Sequence, residues 1–229
     1  MGNVSRFITR LLTNIPEGHE FYSGEFGRGE ADYVYVQTPE GHVLDGDFQY
    51  QCYIDDDSYE RAEGEFEQNA KSGYWSLYSK TIDGHSQVRA FFVGGVLSGD
   101  LLFSMLDTTR NVAADLTLSV FDGEICGRIT GHMAGGGIFS GLCDDNGYPD
   151  GVWKLEMKDG RKTVLTQREV WSHGRLIEAY EEDADKHRKP LEPCLRESIN
   201  TLLMNDVTRL LHIIPQGIKD DILHVHKKK

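Results

Sequence analysis

Two short acidic runs are the first residues in this sequence whose types could support chemistry. Asp55–Asp57 and Asp144–Asn146 offer side-chain oxygens, which are the ligands that Ca²⁺ prefers. Neither run has the spacing of a calcium-binding loop, and aspartate and asparagine are also the residues that build tight turns. The pattern therefore favours turns that need no metal.

The other reactive side chains show no catalytic pattern. Gly135–Gly137 lacks the Lys and Ser or Thr of a phosphate-binding loop, so it indicates a tight turn. His212, His224 and His226 lack further ligands at a metal-binding spacing. No nucleophile-elbow, zinc-protease or dinucleotide motif occurs. We predict no catalytic residues, no metal and no cofactor, with an enzyme of unrecognised site as an alternative.

Regularly spaced turn signals indicate the elements that hold these residues. Asn-Gly and Asp-Gly pairs favour hairpin turns, and segments such as Leu116–Val120 alternate apolar and polar residues like a half-buried strand. The signals are Gly27–Gly29, Glu40-Gly41, Asp56-Asp57, Asn69-Ala70, Asp83-Gly84, Gly94-Gly95, Thr108-Thr109, Asp122-Gly123, Gly135-Gly136, Asn146-Gly147, Asp159-Gly160 and His173-Gly174.

These signals predict a mainly β fold, an elongated, twisted antiparallel meander of about twelve strands in repeated β-hairpins. Helical periods at both termini predict capping α-helices, since a repeat stack exposes apolar surface at its ends. We expect an N-terminal capping helix over residues 1–15, a β-repeat domain over 16–183, and a C-terminal helical cap with a basic tail over 184–229. A short helix over 218–225 belongs to that last part.

A second signature recurs together with the turns. Gly24-Glu25-Phe26, Gly46-Asp47-Phe48 and Gly64-Glu65-Phe66 share the form Gly-acid-Phe, whereas Gly73-Tyr74-Trp75 and Gly151-Val152-Trp153 share Gly-x-Trp. A strand glycine leaves room for a ring from the neighbouring strand to lie over the backbone. We expect the hairpins to form a continuous aromatic ladder.

These repeats resemble the MORN repeat, and the later units are similar to bacterial MORN-like repeats of antitoxin and immunity proteins. The resemblance covers about residues 20–180. It implies the repeat fold, but not one function, because the family includes membrane-associated scaffolds, appended modules of enzymes and antitoxins.

The negative charge is concentrated near the N-terminus. The net charge is −13, and residues 17–69 hold 15 Asp or Glu against two strong bases, Arg28 and Arg61. This front repels nucleic acid and favours a basic protein partner. The aromatic candidates are alternatively the sheet's core. Candidate binding residues are Glu25, Phe26, Asp47, Phe48, Glu65, Phe66, Trp75, Trp153 and Trp171.

The leading functional hypothesis is a non-catalytic protein-binding or scaffolding protein, which the resemblance narrows to an antitoxin-like or immunity-like role. The alternative is a peripheral membrane scaffold, in which Arg6, Arg10 and the Lys227–Lys229 tail contact anionic lipid. No apolar run is long enough to span a bilayer, and four separated cysteines without metal or redox spacing indicate the cytoplasm. An exposed edge strand would also allow a homodimer.

Overall fold

The computed structural model of the protein describes residues 15–109 and 111–214. Fourteen strands form one sheet in which every strand pairs antiparallel with its sequence neighbours, which confirms the predicted meander. The strands are β1 (Glu20–Phe26), β2 (Gly29–Thr38), β3 (Gly41–Tyr53), β4 (Tyr59–Glu67), β5 (Ala70–Thr81), β6 (Gly84–Val93), β7 (Val96–Asp107), β8 (Val112–Phe121), β9 (Glu124–Met133), β10 (Gly137–Cys143), β11 (Gly151–Asp159), β12 (Lys162–Ser172), β13 (Arg175–Asp183) and β14 (Arg188–Pro190).

All twelve predicted turn signals lie at or beside a connection between consecutive strands. Asp122 and Gly123 show why, because both have positive φ, at 52° and 81°, as a two-residue hairpin turn requires. Gly135 and Gly136 also have positive φ, within the tight connection between β9 and β10. The predicted turn at the glycine triplet is therefore confirmed.

A thirteenth turn, over residues 184–187, has no counterpart in the sequence prediction. It joins β13 to β14, so the sheet has 14 strands and continues past residue 183, the predicted domain boundary. The turn contains no glycine. Instead, one carboxylate oxygen of Asp183 accepts hydrogen bonds from the backbone N–H groups of Asp185 and His187, each at 2.9 Å. A side chain thus replaces the glycine on which the prediction depended.

The sheet has an inner face that carries the core and an outer face that carries most of the polar residues. Leu77, Val88, Phe103 and Leu116 are direct cross-strand partners from β5 to β8, and each is at most 2% exposed. Such side chains each gain roughly 1.5–3 kcal/mol when they leave water. Alternation along each strand turns the intervening residues to the outer face.

A C-terminal helix covers the inner face. It consists of α1 (Leu195–Leu202), a π-helical turn (Leu203–Val207) and α2 (Thr208–Leu211). The helix is present where its apolar period predicted it, and it contacts β5, β6 and β11 across the middle of the sheet. The predicted N-terminal helix and the short helix over 218–225 lie outside the described residues, apart from Ile15.

The buried side of this helix and the inner face form one apolar cluster. Leu195, Ile199, Leu203, Val207 and Leu210 are each at most 3% exposed, at the spacing of one helix face. Among the residues that the structure describes, no helix has the length and apolar character needed to cross a membrane.

Candidate functional site

Most of the predicted aromatic binding residues belong to the core. They are between 0 and 3% exposed, so their side chains are not available as a contact surface for a partner. These five side chains therefore lie in the apolar core, which is the position that the alternative interpretation of the sequence gave them. The residues concerned are Phe48, Phe66, Trp75, Trp153 and Trp171.

The expected stacking of a ring over a strand glycine occurs twice. A Cβ atom on Gly64 would lie 2.3 Å from the Trp75 ring, and one on Gly141 would lie 2.8 Å from the Trp153 ring. In both cases the indole N–H donates to the carbonyl of the residue that follows the glycine, at 3.1 Å for Trp75 and 2.7 Å for Trp153. Glycine therefore gives the indole its space, and the residue after it gives the hydrogen-bond acceptor.

The aromatic ladder forms two groups and is not continuous as predicted. One group links Phe26, Phe48, Phe66, Trp75 and Phe92 through ring contacts of 5.1 to 6.4 Å between centroids. The other pairs two rings on β10 and β11 at 5.6 Å. Between them, the inner faces of β7 to β9 carry mostly aliphatic side chains. Phe26 is only half-buried and is packed under this first group.

The predicted acidic residues lie on the outer face and form a patch with three further carboxylates. Each of the six is exposed or half-buried. Glu25 is the direct cross-strand partner of Glu30, and Asp47 is the direct partner of Glu65. Like charges directly opposite one another destabilise a sheet. We call this patch the acidic surface, and it consists of Glu25, Glu30, Asp32, Asp47, Glu63 and Glu65.

The acidic surface differs in its counterions from the buried carboxylates Glu60 and Glu182. Within residues 15–109 and 111–214, none of its six carboxylates forms an ion pair. By contrast, Glu60 pairs with Arg28 at 3.2 Å and Glu182 pairs with Arg188 at 3.1 Å. The surface thus keeps its negative charge available for a cation from outside the chain.

A shallow pocket of about 380 Å³ opens in the acidic surface. Its lining includes the carboxylates of Asp47, Glu63 and Glu65 together with Tyr74 and Arg89. The Tyr74 side chain is 80% exposed and packs edge-to-face on Phe91, with ring centroids 4.8 Å apart. Carboxylates beside an open aromatic ring are suited to an ammonium or guanidinium group. We call this opening the acidic pocket.

The sequence analysis did not name Tyr74 or Glu63 as binding residues. Both could have been predicted, because successive side chains along a strand face opposite sides of the sheet. Tyr74 is the middle residue of Gly-x-Trp, so it points outward when Trp75 points inward. Glu63 precedes Gly64, which lies opposite the inward-facing Phe48, and is outward for the same reason. The acid and the phenylalanine of each Gly-acid-Phe unit likewise face opposite sides.

The acidic runs of the sequence are turn residues. Asp55 and Asp144 each accept a hydrogen bond from the backbone N–H two residues later, at 2.9 and 3.0 Å. Asp183, Asp185 and His187 bring one ligand atom each within 4.8 Å of one another, but the Asp183 carboxylate already holds its turn together. His212 is exposed on the C-terminal helix, and His224 and His226 lie outside the described residues.

The four cysteines are free thiols. Burial raises the pKa of Cys143 to about 12, so this thiol stays protonated near neutral pH and is not a nucleophile. Comparison of the chain with protein-family models and with curated proteins gives no match. The acidic surface and its pocket are therefore the features from which a function has to be argued.

Proposed function

We propose that this chain is a non-catalytic binding protein whose acidic surface holds a basic segment of a protein partner. The observation that carries the proposal is the pairing of Asp47 with Glu65 across β3 and β4, where neither carboxylate forms an ion pair with a described residue. This repulsion costs stability in the free protein. A cationic partner removes it, and complementary charge also sets partner choice and the rate of association.

The acidic pocket gives the surface a defined point of contact. A lysine or arginine side chain of the partner enters beside Glu63 and Glu65 and lies against the exposed ring of Tyr74. Charge-assisted hydrogen bonds and a cation–π contact then act on one group, which is stronger than either contact alone. Arg89 on the same lining repels a badly placed cation and so helps to fix the orientation.

The buried aromatics support this surface from beneath. Phe48 and Phe66 belong to the same two strands as the acidic residues, and their rings lie 5.1 Å apart at the inner face. Trp75 fixes the neighbouring strand by its hydrogen bond to Glu65. A rigid surface loses little entropy when a partner binds, so these core residues contribute to affinity without contact.

The resemblance to bacterial MORN-like repeats supports an antitoxin-like or immunity-like role, in which the partner is a basic toxin or enzyme. Free thiols at all four cysteines support a cytoplasmic location. The membrane-scaffold alternative depends on residues 1–14 and 215–229, which lie outside the described part of the chain. Nucleic acid is disfavoured as a partner because the acidic surface repels phosphates.

Affinity capture from the native lysate at low and moderate salt tests the proposal, with mass spectrometry of the retained proteins. Three baits are compared: the wild type, D47N/E63Q/E65Q (the pocket variant) and D122N/D159N/E178Q (the matched variant). The matched variant removes the same number of charges at exposed positions outside the acidic surface.

We expect the wild type and the matched variant to retain a basic protein at low salt. The pocket variant should lose it, and so should all baits at moderate salt, because counterions screen an exposed charged interface. Equal retention by the pocket variant would overturn the proposal, as would the absence of any basic protein among those that the wild type retains.

A further inference from the structure

A second pocket lies on the opposite side of the sheet, between the inner face and the C-terminal helix. It has a volume of about 280 Å³. Ser79, Ser86 and Met105 contribute from β5, β6 and β7, and Asp206 and Arg209 contribute from the helix. We call it the polar pocket, since it lies within a mainly apolar interface.

Two serine hydroxyls stand side by side in this pocket. Ser79 and Ser86 are direct cross-strand partners on the inner face, and they are 1% and 5% exposed. The Ser86 hydroxyl accepts a long hydrogen bond from Arg209, at 3.4 Å, and keeps its own hydrogen to donate. The Ser79 hydroxyl has no hydrogen-bond partner among the described residues. The pocket therefore contains a buried polar group with unused hydrogen-bonding capacity.

Packing does not explain this pair of serines. In the next inner-face row of the same three strands, the corresponding positions are Leu77, Val88 and Phe103, all at most 2% exposed. An apolar pair in place of the serines would fill the space and avoid burying an unpaired hydroxyl, which is unfavourable. Burial of the two serines therefore lowers the stability of the fold. A ligand that forms hydrogen bonds with their hydroxyls would explain why serines occupy these positions.

The lining indicates the chemistry of that ligand. Arg209 only donates hydrogen bonds, the Asp206 carboxylate only accepts them when ionised, and the serine hydroxyls do both. A phosphate would meet the carboxylates of Asp83, Asp107 and Asp206, and an ammonium would meet the Arg209 guanidinium, so neither fits all the lining groups. A ligand with several neutral hydroxyls can donate a hydrogen bond to one lining group and accept one from the next. Its C–H groups can pack against the apolar side chain of Met105.

We propose that the polar pocket binds a small polyhydroxylated molecule, a monosaccharide or a sugar alcohol. Its volume is far above the roughly 10–15 Å³ that a single water needs and lies just below the usual range of small-molecule sites, about 300–1,000 Å³. This activity is separate from the binding of a basic protein, because the two pockets lie on opposite faces of the sheet.

Saturation-transfer NMR with D-glucose and myo-inositol as probes, at low millimolar concentration, tests the proposal on the full chain. Wild type is compared with Ser79→Ala, Ser79→Val and the control Ser104→Val, which is exposed on the outer face of β7. Wild type and the control should transfer saturation to at least one probe. Ser79→Ala should weaken that binding about two- to tenfold by removing one hydrogen bond. Ser79→Val should weaken it further by removing the hydroxyl and placing a bulkier apolar side chain in the pocket.

Circular-dichroism melts establish that each variant is folded, and if Ser79→Val is not, the Ser79→Ala titration decides. Capture of the basic partner should be unaffected by Ser79→Val, which separates this proposal from the previous one. Absence of transfer to both probes in the wild type overturns the proposal. So does equal transfer in a folded Ser79→Val protein, or a response to putrescine without one to either polyol.

Discussion

Glu169 and Lys71 hold opposite ends of the C-terminal helix. One carboxylate oxygen of Glu169, on β12, accepts the backbone N–H of Leu195 at 2.7 Å, and the Lys71 ammonium, on β5, donates to the carbonyl of Leu211 at 3.2 Å. Both side chains are fully buried. The Glu169 carboxylate opposes the positive charge of the helix N-terminus, and the Lys71 amino group donates to a carbonyl at the C-terminus. The two residues therefore anchor the helix along the inner face.

Replacing Glu169 with alanine tests the anchor at the N-terminus of the helix. The change leaves two buried donors without an acceptor, the Leu195 N–H and the Trp171 indole N–H, which bonds to Glu169 at 3.1 Å. At roughly 1–3 kcal/mol for each unpaired donor, we expect the free energy of unfolding, measured in urea, to fall by about 2–6 kcal/mol. Glu178→Ala, at an exposed position of β13, should stay within about 0.5 kcal/mol of wild type. Equal effects of both substitutions would contradict the anchoring role.

The anchor at the C-terminus makes stability depend on pH. Burial lowers the pKa of Lys71 from 10.5 to about 7, so the unfolded chain keeps a proton that the folded protein releases. The free-energy cost of burying the charged form of Lys71 is absent above pH 10.5. It increases as the pH falls and reaches its full value near pH 7. Denaturant melts should therefore show the free energy of unfolding rising from pH 7 to pH 9, by at most about 1.4 kcal/mol per pH unit.

Lys71→Met is the matched control for this pH dependence. Methionine keeps the unbranched chain beside Trp75 and Phe92, whose ring centroids lie 5.0 and 5.4 Å from the lysine ammonium. It cannot titrate, so the rise in stability between pH 7 and pH 9 should be smaller than in wild type. The same slope in both proteins would show that other groups cause it.

Gly64→Ala should be destabilising because the added methyl group would lie 2.3 Å from the Trp75 ring. Overpacking of this kind costs about 1–3 kcal/mol. A double-mutant cycle isolates the cause, since the same substitution in a Trp75→Ala background meets no ring and should cost much less. Additive effects in urea melts would mean that the indole is not what excludes a side chain at Gly64.

The acidic surface should lower the stability of the free protein. Glu65→Gln removes the charge opposite Asp47, and we expect a gain of about 0.2–1 kcal/mol at low ionic strength that shrinks as salt is added. Glu178→Gln is the control, because Glu178 faces Val170 across β12 and β13 and not a carboxylate. Thermal melts at two ionic strengths measure both, and a loss of stability in Glu65→Gln would show that its charge is already neutralised.

Local patterns in the sequence predict most of the fold but not the contacts that fix the helix. The hairpin at Asp122-Gly123 and the space above Gly64 depend on a few neighbouring residues, and both were predictable. Lys71 and Glu169 are far apart in the chain, and a charged residue within a strand normally indicates solvent exposure. Their roles follow only from the position of the helix, which crosses the sheet instead of closing one of its ends.

The candidate site was predicted in part. The motif Gly-acid-Phe identified Asp47 and Glu65 as candidates, but it grouped them with Phe48 and Phe66, which alternation sends to the other face. The pairs Asp47–Glu65 and Ser79–Ser86 lie in ladders without a register shift, but the pairing of β4 with β5 between them shifts between Glu63 and Glu65. A bulge shifts the pairing by whole residues, and the sequence gives no direct sign of its position.

The most direct test of a cation-binding acidic surface is the affinity of a labelled, lysine- and arginine-rich peptide, measured by fluorescence anisotropy at low salt. Wild type, the pocket variant and the matched variant are titrated side by side. If the acidic surface is a binding site, the pocket variant should bind the peptide about tenfold more weakly than the wild type, which is equivalent to about 1.4 kcal/mol. The affinity of the matched variant should change little. Equal weakening in both variants would show that the peptide responds only to net charge, and the acidic surface would then not be a binding site.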